Sequence, residues 1–270
     1  MSFSISGKTA IVTGAANGIG LAVARHFAAQ GANVMFADMD EASLSREVGK
    51  VAAEDVDNIR CFAGDLREKL SQANLISATI DAFERVDILV NASRQVLTTD
   101  PLDAEDTSLE VLLAQNLTAG YRLSQTIASR MIAQAKQDAQ DEGPVGSIIN
   151  LSSIASQRVH PDLLAYSVSN AALNQMTRAL AVVLAPRRIR VNAVTFGSVM
   201  SESLRSALLD QDEARENIIR HTPLGRIASP GELAETVQFL ASDASGFMTG
   251  QILTVDGGRT LLDAVDTPAH

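Results

Sequence analysis

Ser153 and Tyr166 stand 13 residues apart, and Asn170 follows the tyrosine by four in the stretch "AYSVSNAA". Seryl and phenolic hydroxyls are neutral proton donors near pH 7, and a free phenol ionises only at about pH 10. Two such groups converging on one oxygen suit a carbonyl or a carbinol, the two ends of a ketone–alcohol reaction. Ser153 closes the strand-like run "VGSIINLSS", so it belongs at the carboxyl end of a strand. Tyr166 opens the helical run "LLAYSVSNAALNQMTRALAVVLA". In open α/β sheets ligands bind at that edge, where strand end and helix start would bring both hydroxyls together. Asn170 lies one helical turn beyond Tyr166, on the same face.

The elements that must hold these groups alternate regularly. "KTAIVTG" reads as a strand and "GIGLAVARHFAAQG" as its helix, closed by Gly31. The strand "NVMFAD", a polar helix from about Asp40 to Ala53 and the strand "IRCFAG" follow. A helix over "LREKLSQANLISATIDAFER" leads to the strand "VDILVN", and two helices are expected across roughly 101–140. After "VGSIINLSS" and the tyrosine helix come the strand "IRVNAVT", a helix begun by Ser229 and Pro230, and the strand "QILTVDGG". Strands separated by helices imply right-handed parallel crossovers. The fold class is therefore α/β, a doubly wound parallel sheet of Rossmann type with helices on both faces. Residues 1–270 make one domain, because no stretch reads as an interdomain linker.

Composition narrows the function. Hydrophobic residues form 46% of the chain and charged ones 20%, enough apolar material for a large core. A net charge of −10 argues against nucleic acid, since no basic stripe exists to meet phosphates. No run nears the roughly 20 apolar residues of a membrane span. A lone cysteine, Cys61, suits a reducing cytoplasm, and its strand context predicts a buried, inert thiol. No metal-ligand spacing occurs, so no metal is expected. The tail "LLDAVDTPAH" either docks on another subunit or frays.

The first strand–helix turn, "TGAANGIG", brings Gly14, Gly18 and Gly20 together, with Asn17 and Ile19 between them. Glycines there permit close approach of a pyrophosphate, whose charge is met by the helix N-terminus. Asp38 ends the next strand, 18 residues after Gly20. Its carboxylate can accept from the adenosine ribose hydroxyls and would repel a 2′-phosphate, so NAD is expected rather than NADP. Asp65, followed by Leu66, ends the third strand; it can meet the adenine amino group, cap the following helix, or both.

These residues resemble the short-chain dehydrogenase/reductase family over essentially the whole chain. "TGAANGIG" is similar to its glycine loop, "DILVNAS" to its NNAG strand end and "NLSSIASQRVHPDLLAYSVSN" to its Ser–Tyr stretch. "PLGRIASPGELAETVQFLASDASGFMTGQILTVDGG" is similar to its C-terminal signature. The resemblance implies that Tyr166 is the general acid/base and that Ser153 polarises the substrate oxygen. It implies a water held by Asn116, and Asn91 and Ala92 bracing the sheet end beside the cofactor. Gly197 and Val199 would contact the nicotinamide, and a segment of about 198–221 would cover a small-molecule substrate. Homo-oligomers, tetramers or dimers, are implied as well. The stripe Leu173, Met176, Leu180, Val183 and Leu184 suits either such an interface or packing on the sheet.

Three positions depart from the family. Asn170 stands where the family has a lysine that binds the nicotinamide ribose and favours the phenolate. A cation about 5.5 Å from a phenol, at an effective dielectric near 20, is worth about 3 kcal/mol, or roughly two pKa units. An amide can attempt the ribose contact but lacks that charge. Alcohol oxidation needs the phenolate as base, whereas carbonyl reduction needs only the phenol. The four lysines, Lys8, Lys50, Lys69 and Lys136, all fall outside the expected site. Arg94 replaces the last glycine of the NNAG element. It can return part of the missing charge, point to solvent or pair at an interface. Phe196 replaces a proline before Gly197. The expectation is an NAD-dependent oxidoreductase for a secondary alcohol and ketone, attenuated by the missing lysine. Its alternative is a nucleotide-binding pseudoenzyme or structural subunit without turnover. A methyltransferase on a similar sheet is disfavoured by the C-terminal half.

Overall fold

The computed structural model of the protein describes residues 2–52, 57–263 and 265. Seven parallel strands form one sheet in the order β3-β2-β1-β4-β5-β6-β7. They are β1 (Thr9–Thr13), β2 (Asn33–Asp38), β3 (Ile59–Ala63), β4 (Ile88–Asn91), β5 (Gly146–Ser153), β6 (Ile189–Phe196) and β7 (Ile252–Val255). The chain winds outward from β1 to β3, then returns to place β4 on the other side of β1. A crevice opens at the carboxyl ends of β1 and β4, where the winding reverses. The expected doubly wound sheet is thus present.

Helices cover both faces. On one, α1 (Gly18–Ala29) and α9 (Pro230–Ala241) contribute Val23, Phe27, Leu233, Val237 and Leu240 to the core. On the other, α3 (Lys69–Phe83), α5 (Ala119–Gln137) and α6 (Leu164–Leu184) contribute Leu75, Leu123, Ile127, Met131 and Leu180. Burying each such side chain contributes about 1.5–3 kcal/mol, which explains why central strands read as unbroken apolar runs. The α6 stripe divides accordingly. Leu173 and Leu180 are buried, Met176 and Leu184 pack against this core, and Val183 is exposed.

Several boundaries differ from expectation. The region 101–140 holds two turns and then one helical run, Ser108–Gln137, made of α4 (Ser108–Leu113), a π-turn (Ala114–Thr118) and α5. The second helix, α2, spans Glu41–Ala52; Ala53 lies outside the described residues, as does most of the tail. The segment 198–221 contains α7 (Glu202–Ala207) and α8 (Asp212–Arg220). Cys61 is exposed, not buried. Its strand, β3, is the outermost of the sheet and is buried only at Ile59, so apolar character there does not imply enclosure.

Candidate active site

The crevice begins with the β1–α1 turn. Gly14 has φ +67°, and a Cβ on it would stand 2.8 Å from the Ser93 backbone; one on Gly20 would stand 2.1 Å from the Gly14 carbonyl. Only glycine lets this loop lie so close to the end of β4. Gly14, Asn17, Gly18, Ile19, Gly20, Asp38 and Ala92 line a cleft of about 680 Å³. The first turn of α1 carries no side-chain cap and borders this cleft. An uncapped helix start and a glycine cradle fit a pyrophosphate. Asp38 accepts from the backbone N–H groups of Ala16 at 3.0 Å and Asp40 at 3.1 Å, which fix its carboxylate at the cleft wall. A dinucleotide is therefore a group these residues can hold.

Asp65 is differently engaged. Arg67 donates to both of its oxygens, at 2.6–3.0 Å, and holds its carboxyl below the ordinary range. Arg67 itself lines the cleft beside Asp38, while Leu66 faces a smaller cavity further in. The pairing of Asp65 with Arg67 was not foreseen from sequence, although the i,i+2 acid–base spacing was visible.

At the other end of the crevice, Ser153 is the last residue of β5 and caps the short turn that follows. Its Oγ accepts from Ala155 N at 3.2 Å, which leaves its own hydrogen free to donate. Tyr166 lies in the first turn of α6 and is only 4% exposed. A buried polar net fixes the helix on the sheet. Asn91 Nδ2 donates to Asn150 Oδ1 at 2.8 Å and Ser124 Oγ at 3.0 Å, and Asn150 Nδ2 donates to Thr177 Oγ1 at 2.9 Å.

Asn170 is not directed at the cleft. It is 2% exposed, its Nδ2 donates to the Tyr166 carbonyl at 2.8 Å, and its Oδ1 accepts from Ser152 Oγ at 3.4 Å. A side chain so short folds back on its own helix, where a longer one would project beyond it. Asn116 also has main-chain partners: Oδ1 accepts from Gln95 N at 2.8 Å and Nδ2 donates to Gln95 O at 2.9 Å. Asn91, Asn116 and Asn170 all line an inner cavity of about 20 Å³, room for a single water. Asn91 Oδ1 is buried without a partner.

The cation at the tyrosine is Arg94. Its Nη1 donates to Tyr166 Oη at 2.9 Å, and its Cζ lies 4.3 Å from the centroid of the Phe196 ring. The guanidinium thus bridges two departures from the family pattern, Arg94 itself and Phe196. Its loop is held from both sides. Thr13 Oγ1 accepts from the backbone of Ala92 and Ser93, each at 3.0 Å, while Gln115 donates to Ser93 Oγ at 2.9 Å and Asn116 clamps Gln95. The π-turn presents Gln115 and Asn116 consecutively to this loop, a distortion that recurs at functional sites. Gly197 lies against Asp256 and Ile154 beyond Phe196, and Val199 is buried. His160 and His221 are exposed and bonded locally.

Comparison with known proteins shows the family. The family model described as enoyl-(acyl carrier protein) reductase matches residues 14–260. The chain is 34% identical over 261 residues to galactitol 2-dehydrogenase (L-tagatose-forming) of Cereibacter sphaeroides, covering 96% of this chain and 97% of the relative. It is 32% identical over 261 residues to NAD-dependent glycerol dehydrogenase of Listeria innocua, covering 96% of each. Among solved structures it is similar to 7α-hydroxysteroid dehydrogenase complexed with NADH and 7-oxoglycochenodeoxycholic acid. There the TM-score is 0.84 at 28% identity, covering 95% of each chain. The chain belongs to the short-chain dehydrogenase/reductase family, a family of oxidoreductases that use nicotinamide cofactors. Among the described residues no helix is long and apolar enough to cross a membrane.

Proposed function

We propose that the protein is an NAD-linked oxidoreductase interconverting a secondary alcohol and a ketone, with Arg94 in the electrostatic role of the absent lysine. The observation that carries this reading is the 2.9 Å bond from Arg94 Nη1 to Tyr166 Oη. A unit charge about 4 Å from a developing phenolate is worth about 4 kcal/mol at an effective dielectric near 20. Arg94 is exposed, so water screens it to less than that. The compensation is partial, which is why attenuation belongs to the proposal. Bound nicotinamide would supply or accept the hydride. Ser153 Oγ donates to the substrate oxygen, Tyr166 Oη moves the proton, and Arg94 stabilises the negative charge left on Tyr166.

Gly14, Asn17, Gly18, Ile19, Gly20 and Asp38 would hold the dinucleotide. The negative charge of Asp38 favours NAD, and Arg67, committed to Asp65, supplies little to a 2′-phosphate. The name of the Listeria innocua relative is consistent with NAD. Cytoplasmic residence rests on the cysteine usage. Homo-oligomerisation is supported by Val182 and Val183, exposed on α6.

A second reading has one observation of its own. Arg94 lies between Phe196 and Tyr166, beside the segment that the family resemblance gives to the nicotinamide. A subunit that gripped only the adenosine half of the nucleotide would tolerate this. One experiment separates the readings: alcohol oxidation against pH for the parent, Arg94→Met and Asn170→Lys. We expect Arg94→Met to lose oxidation near neutral pH and recover it in alkali, and Asn170→Lys to gain at least about tenfold near pH 7. An unchanged Arg94→Met profile removes the arginine from the mechanism. Silence of all three proteins across alcohols and ketones favours the non-catalytic subunit.

A further inference from the structure

Some arginines of the molecule are answered by acids: Arg25 by Glu47, Arg67 by Asp65, Arg85 by Asp87 and Arg226 by Glu232. Such pairing is easy in a chain of net charge −10. Arg94 is not among them. Among the described residues it has no carboxylate within ion-pair distance, and only one of its five N–H groups has a partner, the Tyr166 hydroxyl. Its Cζ lies 4.3 Å from the centroid of the Phe196 ring, and its loop is held by Thr13, Gln115 and Asn116. A flat, pre-oriented guanidinium with an open edge matches a carboxylate, which it can grip through two parallel bonds.

Two further arginines are tied to the segments near Phe196 and Ser153 in the chain. Arg259 donates to Ser198 Oγ at 3.1 Å, two residues beyond Phe196, and Arg158 donates to the Thr260 carbonyl, five residues beyond Ser153. Neither has a carboxylate partner among the described residues. The acid nearest in sequence, Asp256, is bonded to the backbone N–H groups of Gly258 at 2.9 Å and Thr260 at 2.7 Å. Glu202 pairs with Arg205.

We infer that the substrate is an oxo acid, or the matching hydroxy acid, whose reacting carbon lies one or two atoms from a carboxylate bound by Arg94. Nη1 already stands at hydrogen-bond distance from Tyr166 Oη. A carboxylate on the free edge therefore puts its neighbouring carbonyl oxygen within reach of the phenol. The balanced change is oxo acid, reduced nicotinamide and one proton giving hydroxy acid and oxidised nicotinamide. The proton leaves Tyr166 for the carbonyl oxygen as a C–H bond forms at the carbonyl carbon. This inference rests on the oxidoreductase reading and narrows its substrate class.

The test is calorimetric binding to the full chain at saturating NADH, with 2-oxopentanoate and its uncharged counterpart 2-pentanone as probes. Hydrogen bonds to a charged group predict about 10- to 100-fold tighter binding of the oxo acid. Arg94→Gln should erase that preference, with circular dichroism confirming that the variant is folded. Equal binding of both probes, or an oxo-acid preference that survives Arg94→Gln, overturns the inference. Turnover of both probes gives an independent arm. If 2-pentanone is reduced as well as 2-oxopentanoate, the oxidoreductase reading stands and the acid inference falls. If NADH does not bind, the oxidoreductase reading itself falls.

Discussion

Replacing one amide should show how closely Arg94 depends on its neighbours. Asn116 closes both main-chain groups of Gln95, the residue after Arg94, with bonds of 2.8 and 2.9 Å. Asn116→Ala leaves both groups unpaired in a partly buried place, at about 1–3 kcal/mol. Asn116→Ala should therefore lower Tm and also shift the pH–rate profile in the direction of Arg94→Met. Asn116→Asp keeps the acceptor and should lose less. A lower Tm with an unmoved pH profile would make Asn116 structural only. Sequence pointed to Ser153, Tyr166 and Asn170 as candidates, because spacing along one strand and one helix is local information. Arg94 was visible as a candidate, but its direction depends on Phe196, 102 positions later, and on a π-turn that no periodicity announces. Asn116 stood out as an amide inside a helix, and its partner Gln95 did not. Cys61 misled because strand character says nothing about whether a strand is an edge.

Helix starts were the most legible elements, and α9 gives the sharpest case. Ser229 precedes Pro230 and Glu232, and the fold forms the full capping box: Ser229 Oγ accepts from Glu232 N, and Glu232 Oε2 accepts from Ser229 N at 2.8 Å. What the sequence pattern did not disclose is Arg226, which grips the same carboxylate at 2.6 and 2.8 Å. Its guanidinium, with help from Ser229 N–H, holds the Glu232 carboxyl down at about 2, against an ordinary 4.5. A depressed folded-state value stabilises above the unfolded one, and the benefit disappears as pH falls from 4.5 toward 2. Thermal unfolding should therefore separate the parent from Glu232→Gln at pH 7, and the two curves should draw together near pH 2.5. A gap that stays constant over that range would assign the effect to lost hydrogen bonding alone. The pair is exposed, so the separation should be a few degrees at most and should shrink in high salt. Because α9 packs on α1, this cap also steadies the helix whose first turn borders the nucleotide cleft.

For the molecule as a whole, alternation of strands and helices was sufficient to give the doubly wound sheet, since parallel crossovers leave few other topologies. Chain order alone did not say how the site would be populated. The β1–β4 reversal brings residues 14, 17–20, 38, 92–96 and 115 to one cleft, and Arg94 on its wall meets Tyr166 of α6 and Phe196 of β6. A nucleotide in this cleft would be held by the fold as a whole, and stability should report it. A ligand at 100 times its Kd stabilises the folded state by about 2.7 kcal/mol. For a domain of this size that corresponds to a rise in Tm of about 5–10 °C. NADH should produce such a rise and NADPH a much smaller one, because the Asp38 carboxylate is pinned at the cleft wall by Ala16 and Asp40. Asp38→Asn keeps an acceptor there but removes the charge, so it should narrow the gap between the two nucleotides without abolishing NADH stabilisation. If NADPH stabilises the parent as strongly as NADH, the carboxylate is not the selecting group. If neither nucleotide moves Tm at concentrations up to the millimolar range, the cleft does not hold a dinucleotide at all.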